Sequence, residues 1–74
     1  MTRLPTLHAR KVVKALEQVG FVLRRQRGSH YIMTQPETKR ETVIPVHGRD
    51  VNRSLLKLII KQAGLTEDQF RELL

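Results

Sequence analysis

Residues 21–46 read FVLRRQRGSHYIMTQPETKRETVIPV and contain three short segments rich in strand-forming residues. The segments run from Phe21 to Gln26, from Ser29 to Thr34 and from Glu41 to Val46. Arg27-Gly28 is the predicted turn between the first two. Residues 35–39 separate the last two, because Pro36 lacks the N–H that a strand ladder needs. We therefore predict a three-stranded antiparallel sheet whose third strand lies at an edge or ends at Pro45.

The segments on either side of this predicted sheet have helical periodicity. Residues 8–19 place their apolar side chains on one face, and Gly20 follows as a natural helix stop. A second helix is predicted from about residue 53 to residue 63, capped by Asp50 or Asn52 and ended by Gly64. Residues 66–69 then have the form of a capping box, which starts a short last helix.

The order of elements is one helix, three strands and two helices, and it predicts the fold class. We expect a single α+β domain over residues 1–74, with a three-stranded antiparallel sheet and the helices packed on one of its faces. On the long helix the expected core-facing set is Leu56, Ile59, Ile60 and Ala63. Leu55 and Leu58 then point partly outward. Either they form a partner-binding surface, or the last helix covers them through Phe70 and Leu73.

The composition is strongly basic and lacks cysteine. Fourteen Lys and Arg oppose seven Asp and Glu, and residues 1–27 hold seven basic side chains against Glu17 alone. This asymmetry indicates a polyanionic partner such as nucleic acid, although a merely solvated surface would have the same composition. The absence of Cys excludes disulfide scaffolds and Cys-based metal sites. No apolar run reaches the roughly 18 residues of a membrane span, and no signal peptide is visible, so we expect a cytoplasmic protein.

The predicted turns also set which strand residues face each other. A two-residue turn at Arg27-Gly28 places His30 opposite Arg25, and a turn centred near residues 37–38 places His30 opposite Pro45. His47 would then be a diagonal neighbour of His30. This register predicts a core face made of Phe21, Leu23, Ile32 and Val43. Arg25, His30 and His47 would lie at its rim.

Several short motifs together resemble the HicA family of toxins from bacterial toxin–antitoxin pairs. They are LP at residues 4–5, GF at 20–21, RQRGSH at 25–30, PVHG at 45–48 and KQAGL at 61–65. The resemblance extends over nearly the whole chain. One departure is His8 at the start of the first helix, where the family often has a small hydroxyl residue, and this puts the helix cap in question.

The resemblance implies both a fold and an activity. The fold would be like that of the double-stranded-RNA-binding domain, and the activity would be metal-independent cleavage of mRNA by an endoribonuclease. The family's functional histidine follows Gly-Ser, which corresponds to His30 in this chain. The resemblance also implies a cognate HicB-type antitoxin that covers the active site.

The residues around His30 suit cleavage of RNA by its own 2′-hydroxyl. Histidine transfers protons near neutral pH, because its ordinary pKa of about 6.5 is close to operating pH. Arg25 and Arg27 present guanidinium groups that match phosphate oxygens, Ser29 can donate a hydrogen bond to phosphate, and Gly28 allows close backbone approach. His47 is either a second acid–base group or a residue that holds the loop at Gly48.

Further candidate contacts to RNA lie on the helices and beside His30. Lys11 with Lys14, and Lys57 with Lys61, are spaced to follow a phosphate backbone, although each is also an ordinary solvated lysine. Tyr31 either stacks on a base or fills a half-buried strand position. The three histidines do not make a persuasive zinc site, so we expect neither a metal nor another cofactor.

Two other functions remain open at this point. The chain could be a non-catalytic RNA-binding module of the same fold, although the lysine cluster typical of such a module is missing at residues 52–57. It could also be a protein-interaction subunit whose positive charge meets an acidic partner.

Overall fold

A computed structural model describes residue 4, residues 6–46 and residues 50–74. The predicted second histidine, His47, and its neighbour Gly48 lie outside the described residues. The elements in chain order are β1 (Leu7–His8), α1 (Ala9–Glu17), β2 (Val22–Arg27), β3 (His30–Gln35), β4 (Arg40–Pro45), β5 (Asp50–Val51), α2 (Arg53–Gln62) and α3 (Glu67–Glu72). The α+β class, the three-stranded antiparallel sheet and the helices packed against it are confirmed.

Two sheets organise the described residues. β2, β3 and β4 form the main antiparallel sheet in that order, with β3 in the middle. β1 and β5 form a separate ladder of two residue pairs, Leu7 with Val51 and His8 with Asp50. The sequence did not predict this small ladder, because two-residue strands are too short to show any periodicity. It holds the starts of α1 and α2 side by side.

Side chains cap the start of each helix. His8 caps α1, since its Nδ1 accepts a hydrogen bond from the Arg10 amide at 3.2 Å. The imidazole of His8 therefore occupies the capping position of α1 that the sequence left in question. Asn52, rather than Asp50, caps α2. The predicted capping box is confirmed at Thr66 and Gln69, whose side chains bond to each other's backbone N–H groups.

The core lies between the helices and one face of the main sheet, which we call the helix face. From β3 and β4 it receives Met33, Thr42 and Ile44, all at most 2% exposed. The helices contribute the apolar side chains Ala9, Val12, Ala15, Leu16, Leu56, Ile59, Ile60, Ala63 and Phe70. The Thr42 hydroxyl is satisfied by the Gln62 side chain at 2.7 Å, so its burial leaves no polar group unpaired.

The predicted core face of the strands was wrong in part. Phe21 is buried as expected, but Ile32 is half-buried and Val43 is 39% exposed on the sheet face away from the helices. The cause is a β-bulge between Leu23 and Arg25, which inserts an extra residue into β2. Beyond the bulge the alternation reverses, so the pattern read from Phe21 assigns the wrong face to β3 and β4. Leu23 does pair with Met33, yet it is 45% exposed.

The two hairpins differ in how well their registers were predicted. The turn of the first consists of Gly28 and Ser29, so His30 faces Arg27 rather than Arg25. The register of the second is confirmed, with His30 opposite Pro45. The first prediction placed the turn one residue too early, because glycine was assigned to the second turn position instead of the first.

The outward side of α2 follows the prediction only in part. Leu58 is 48% exposed, whereas Leu55 is half-buried and packs against the core. Phe70 of α3 is fully buried, and Leu73 is half-buried against the same core. Leu58 is therefore left as the outward leucine of the predicted pair. Among the described residues, no helix is both long enough and apolar enough to cross a bilayer.

Candidate functional site: the β2–β3 hairpin

The GSH motif forms the tip of the hairpin and the first residue of β3. Gly28 has φ of +56°, and a two-residue loop with glycine in this conformation at its first position is typical of a type II′ turn. A Cβ at Gly28 would meet no atom within 4 Å, so glycine is needed there for its backbone conformation and not for packing. The open space leaves the turn backbone accessible to a ligand.

His30 lies on the sheet face opposite the helix face. It is the first residue of β3, it is exposed, and its neighbours across the sheet are Arg27 and Pro45. Within the described part of the chain, its imidazole takes part in no hydrogen bond or ion pair. The ring is therefore free to accept or donate a proton to a bound molecule.

Arg25 and Arg27 share this face with His30. Arg27 is directly opposite His30, which brings their Cβ atoms to about 5 Å, and Arg25 is a diagonal neighbour at about 7–8 Å. Neither arginine has a carboxylate partner among the described residues. We call Arg25, Arg27 and His30 the hairpin face. It combines one proton-transfer group with two free cations, as binding a phosphodiester beside an imidazole requires.

The bulge adds a third arginine, but this one is paired. Arg24 Nη1 lies 3.4 Å from Glu41 Oε1 on β4, and both side chains are exposed. An exposed pair of this kind contributes at most about 1 kcal/mol, so it is easily exchanged for a phosphate. All six residues of β2 are exposed, so the whole strand is open to a partner.

A cleft opens on the other side of the same end of the sheet. Its volume is about 590 Å³, and its lining residues are His8, Ala9, Arg10, Val13, Lys14, Glu17, Tyr31 and Val46. The Val46 amide donates to the Ser29 carbonyl at 2.6 Å, which ties the cleft to the turn of the hairpin. Sequence reasoning missed this cleft. The available signal was Tyr31, considered there only as a base-stacking or half-buried residue.

The predicted lysines fall in different places. Lys11 and Lys14 are exposed on α1, and Lys14 lines the cleft. Lys57 and Lys61 are exposed on α2, where they line a separate groove with Ile60, Leu65, Thr66 and Glu67. None of the four belongs to the hairpin face. Their contact with RNA stays a prediction.

The described residues contain no group of three or more His, Cys, Asp or Glu side chains arranged to hold a metal ion. His8 and His30 are on different elements, with His8 engaged as the cap of α1.

A comparison with known protein families gives a match over most of the chain. A model described as the HicA toxin of bacterial toxin–antitoxin pairs matches residues 9–65, well over half of the chain. A search of curated proteins found no match. The matched range begins at α1 and extends past α2, so it includes the hairpin face and most of the cleft.

Proposed function

This chain belongs to the HicA family of toxins from bacterial toxin–antitoxin systems, and we propose that it is an endoribonuclease that cleaves mRNA with His30 and without a metal. Membership makes it a toxin and implies an antitoxin partner. We further propose that this partner is of the HicB type and that it covers the hairpin face while the toxin is held inactive.

The observation that carries the proposal is the position of His30. It stands exposed at the first residue of β3, with Arg27 directly across from it and no partner within the described chain. An exposed imidazole with no partner in the described chain is accessible to a bound RNA. Together with Arg27 beside it, this accessibility supports the proposed proton transfer.

The reaction that fits these groups is transesterification within the RNA. The 2′-oxygen attacks the adjacent phosphorus and loses its proton, and the bond from phosphorus to the 5′-oxygen breaks as that oxygen gains a proton. His30 supplies one of these proton transfers, and the other falls to water or to a second group. Arg25 and Arg27 offset the additional negative charge of the pentavalent phosphorane. The product ends are a 2′,3′-cyclic phosphate and a 5′-hydroxyl.

The test compares two variants of β3 on purified RNA. His30→Ala should lower the cleavage rate about 10²–10⁴-fold, the usual contribution of a proton-transfer group, with little change in RNA affinity. Thr34→Ala is the matched control, because it shortens a side chain on the same strand and the same face. It should cleave like the wild type.

Two results would contradict the proposal. One is full cleavage by His30→Ala in a preparation free of host nucleases. The other is cleavage that stops in EDTA and returns with magnesium, since the proposed reaction continues in EDTA. RNA that is bound but never cleaved by the wild type would instead favour the non-catalytic RNA-binding module.

A further inference from the structure

The cleft beside the hairpin has the size of a small-ligand site. Its volume of about 590 Å³ falls within the usual range for pockets that hold molecules as large as a nucleotide. The cleft lies between α1 and two strand residues, Tyr31 at the start of β3 and Val46 just after β4. Nothing in the proposed cleavage chemistry uses this cleft.

The floor of the cleft suits a flat aromatic ring. Val13, Tyr31 and Val46 are half-buried and pack against the core, so they are held in place while part of each side chain still faces the cleft. Tyr31 is the single tyrosine of the chain. A nucleobase that stacks on an aromatic side chain gains affinity whatever its identity, because every base has a π face.

The rim of the cleft suits a phosphate. Arg10 and Lys14 are four residues apart on α1, and both are exposed and line the cleft. In the described residues neither forms an ion pair. Two cations at one edge of an aromatic floor match the phosphate and the base of one nucleotide.

Glu17 adds a hydrogen-bonding group one turn further along α1. It lines the same cleft, and no cation of the described residues pairs with its carboxylate. A carboxylate has two adjacent acceptor oxygens and no donor. Among the Watson–Crick edges of the RNA bases, that of guanine has two adjacent donors, N1–H and the N2 amino group.

We propose that this cleft binds one unpaired nucleotide of the RNA, with the base on Tyr31 and the phosphate at Arg10 and Lys14. Glu17 makes guanine the preferred base. The inference rests on the proposed function, because it takes RNA to be the substrate. His30 and Tyr31 are successive residues of β3 that point to opposite faces of the sheet. In this arrangement the RNA continues from the cleft around the Ser29 end of the sheet to the hairpin face. The nucleotide bound in the cleft then determines which phosphodiester reaches His30.

The experiment titrates GMP, AMP, CMP and UMP into 15N-labelled His30→Ala protein and follows amide shifts by NMR. His30→Ala is used so that binding is measured without cleavage. GMP should bind most tightly and shift the amides of Val13, Tyr31 and Val46. Tyr31→Phe should retain this affinity, and Tyr31→Leu should lose about tenfold, the size of one base–aromatic stack. Glu17→Gln should remove the preference for GMP.

Two lysine variants that remove the same charge test the inference even if the tyrosine variants fold poorly. Lys14→Ala should weaken GMP binding several-fold, whereas Lys39→Ala, which removes the same charge from the turn before β4 outside the cleft, should leave it nearly unchanged. Equal effects of the two variants, or GMP shifts confined to residues outside the cleft, would overturn the inference. No binding of any of the four nucleotides at millimolar concentration would also overturn it.

The outcomes separate the inference from the proposed function. If wild-type protein cleaves RNA through His30 but no nucleotide binds in the cleft, the inference alone fails. If the nucleotides bind as expected but wild-type protein cleaves no RNA, the endoribonuclease proposal fails and the cleft remains a nucleotide site.

Discussion

The two faces of the main sheet are built from alternate residues of the same strands, yet they have opposite properties. On the helix face, Met33 and Ile44 are completely buried. On the hairpin face and its continuation, His30 is exposed and Val43 is 39% exposed. Since neighbouring residues of one strand point to opposite faces, the stability of the fold and its proposed chemistry lie one residue apart. The two are therefore separable by substitution.

β2 shows the same division along its length. Its six residues are all exposed, whereas Met33 of β3 and Thr42 and Ile44 of β4 are buried. A strand that contributes so little to the core can carry three arginines without burying charge. This is a physical reason for the concentration of positive charge in the hairpin.

The largest expected effect is on stability, at two neighbouring residues of β4. Ile44→Ala removes a buried side chain from the helix face and should lower the free energy of unfolding by about 2–5 kcal/mol. Val43→Ala removes a smaller side chain from the opposite face and should cost less than about 1 kcal/mol. Urea denaturation followed by circular dichroism measures both. Equal losses in the free energy of unfolding would show that the outer face contributes as much to stability as the helix face, contrary to this comparison.

A smaller difference in stability is expected between substitutions of two leucines of α2, one packed against the core and the other exposed. Leu55→Ala should cost about 1–2 kcal/mol, because Leu55 is half-buried against the core. Leu58→Ala should stay within about 0.5 kcal/mol. In a domain of this size 1 kcal/mol corresponds to about 4–8 °C, so thermal melts distinguish the two. A larger loss for Leu58→Ala than for Leu55→Ala would place Leu58 in the core and remove it from the predicted partner-binding surface.

A substitution in the turn of the hairpin should change the free energy of unfolding by about 1 kcal/mol. Gly28→Ala should destabilise the fold by about 1 kcal/mol, because Ala is strained at a φ of +56°. Gly28→Asn should cost less, since Asn tolerates this conformation and the space beside Gly28 is open. If the backbone there approaches a phosphate, the Asn variant should fold well and yet cleave RNA more slowly. Full cleavage by a folded Asn variant would limit Gly28 to a role in the turn.

The smallest expected effect is on the salt dependence of RNA binding. Arg25→Ala and Arg27→Ala should each reduce the slope of log affinity against log salt by about 0.7, the value for one phosphate contact on a single strand. Neither should change the thermal midpoint by more than a few degrees, because both side chains are exposed. Fluorescence anisotropy with labelled RNA at several salt concentrations gives the slope. An unchanged slope in both variants would show that these arginines do not bind phosphate.

Several local features of the chain were predicted correctly, because they depend on residues close in sequence, although the turn of the first hairpin was placed one residue too early. The capping box at Thr66 and Gln69 is set by four consecutive residues. Pro45 opposite His30 follows from the Pro36 break and the length of the turn around it. His30 itself was singled out by the GSH motif, and the structure places it exposed beside Arg27 as that role needs. Its catalytic role stays a prediction.

Other features required the chain to be folded. A bulge in β2 decides which face of β3 and β4 is buried, and both faces carry apolar residues, so alternation alone could not choose between them. The cleft brings α1 together with Tyr31 and Val46, residues far apart in the chain. Sequence patterns thus determine where helices, strands and turns occur, since those depend on short-range hydrogen bonding and steric preference. Burial and the cleft depend on how the elements pack, which is a property of the whole fold.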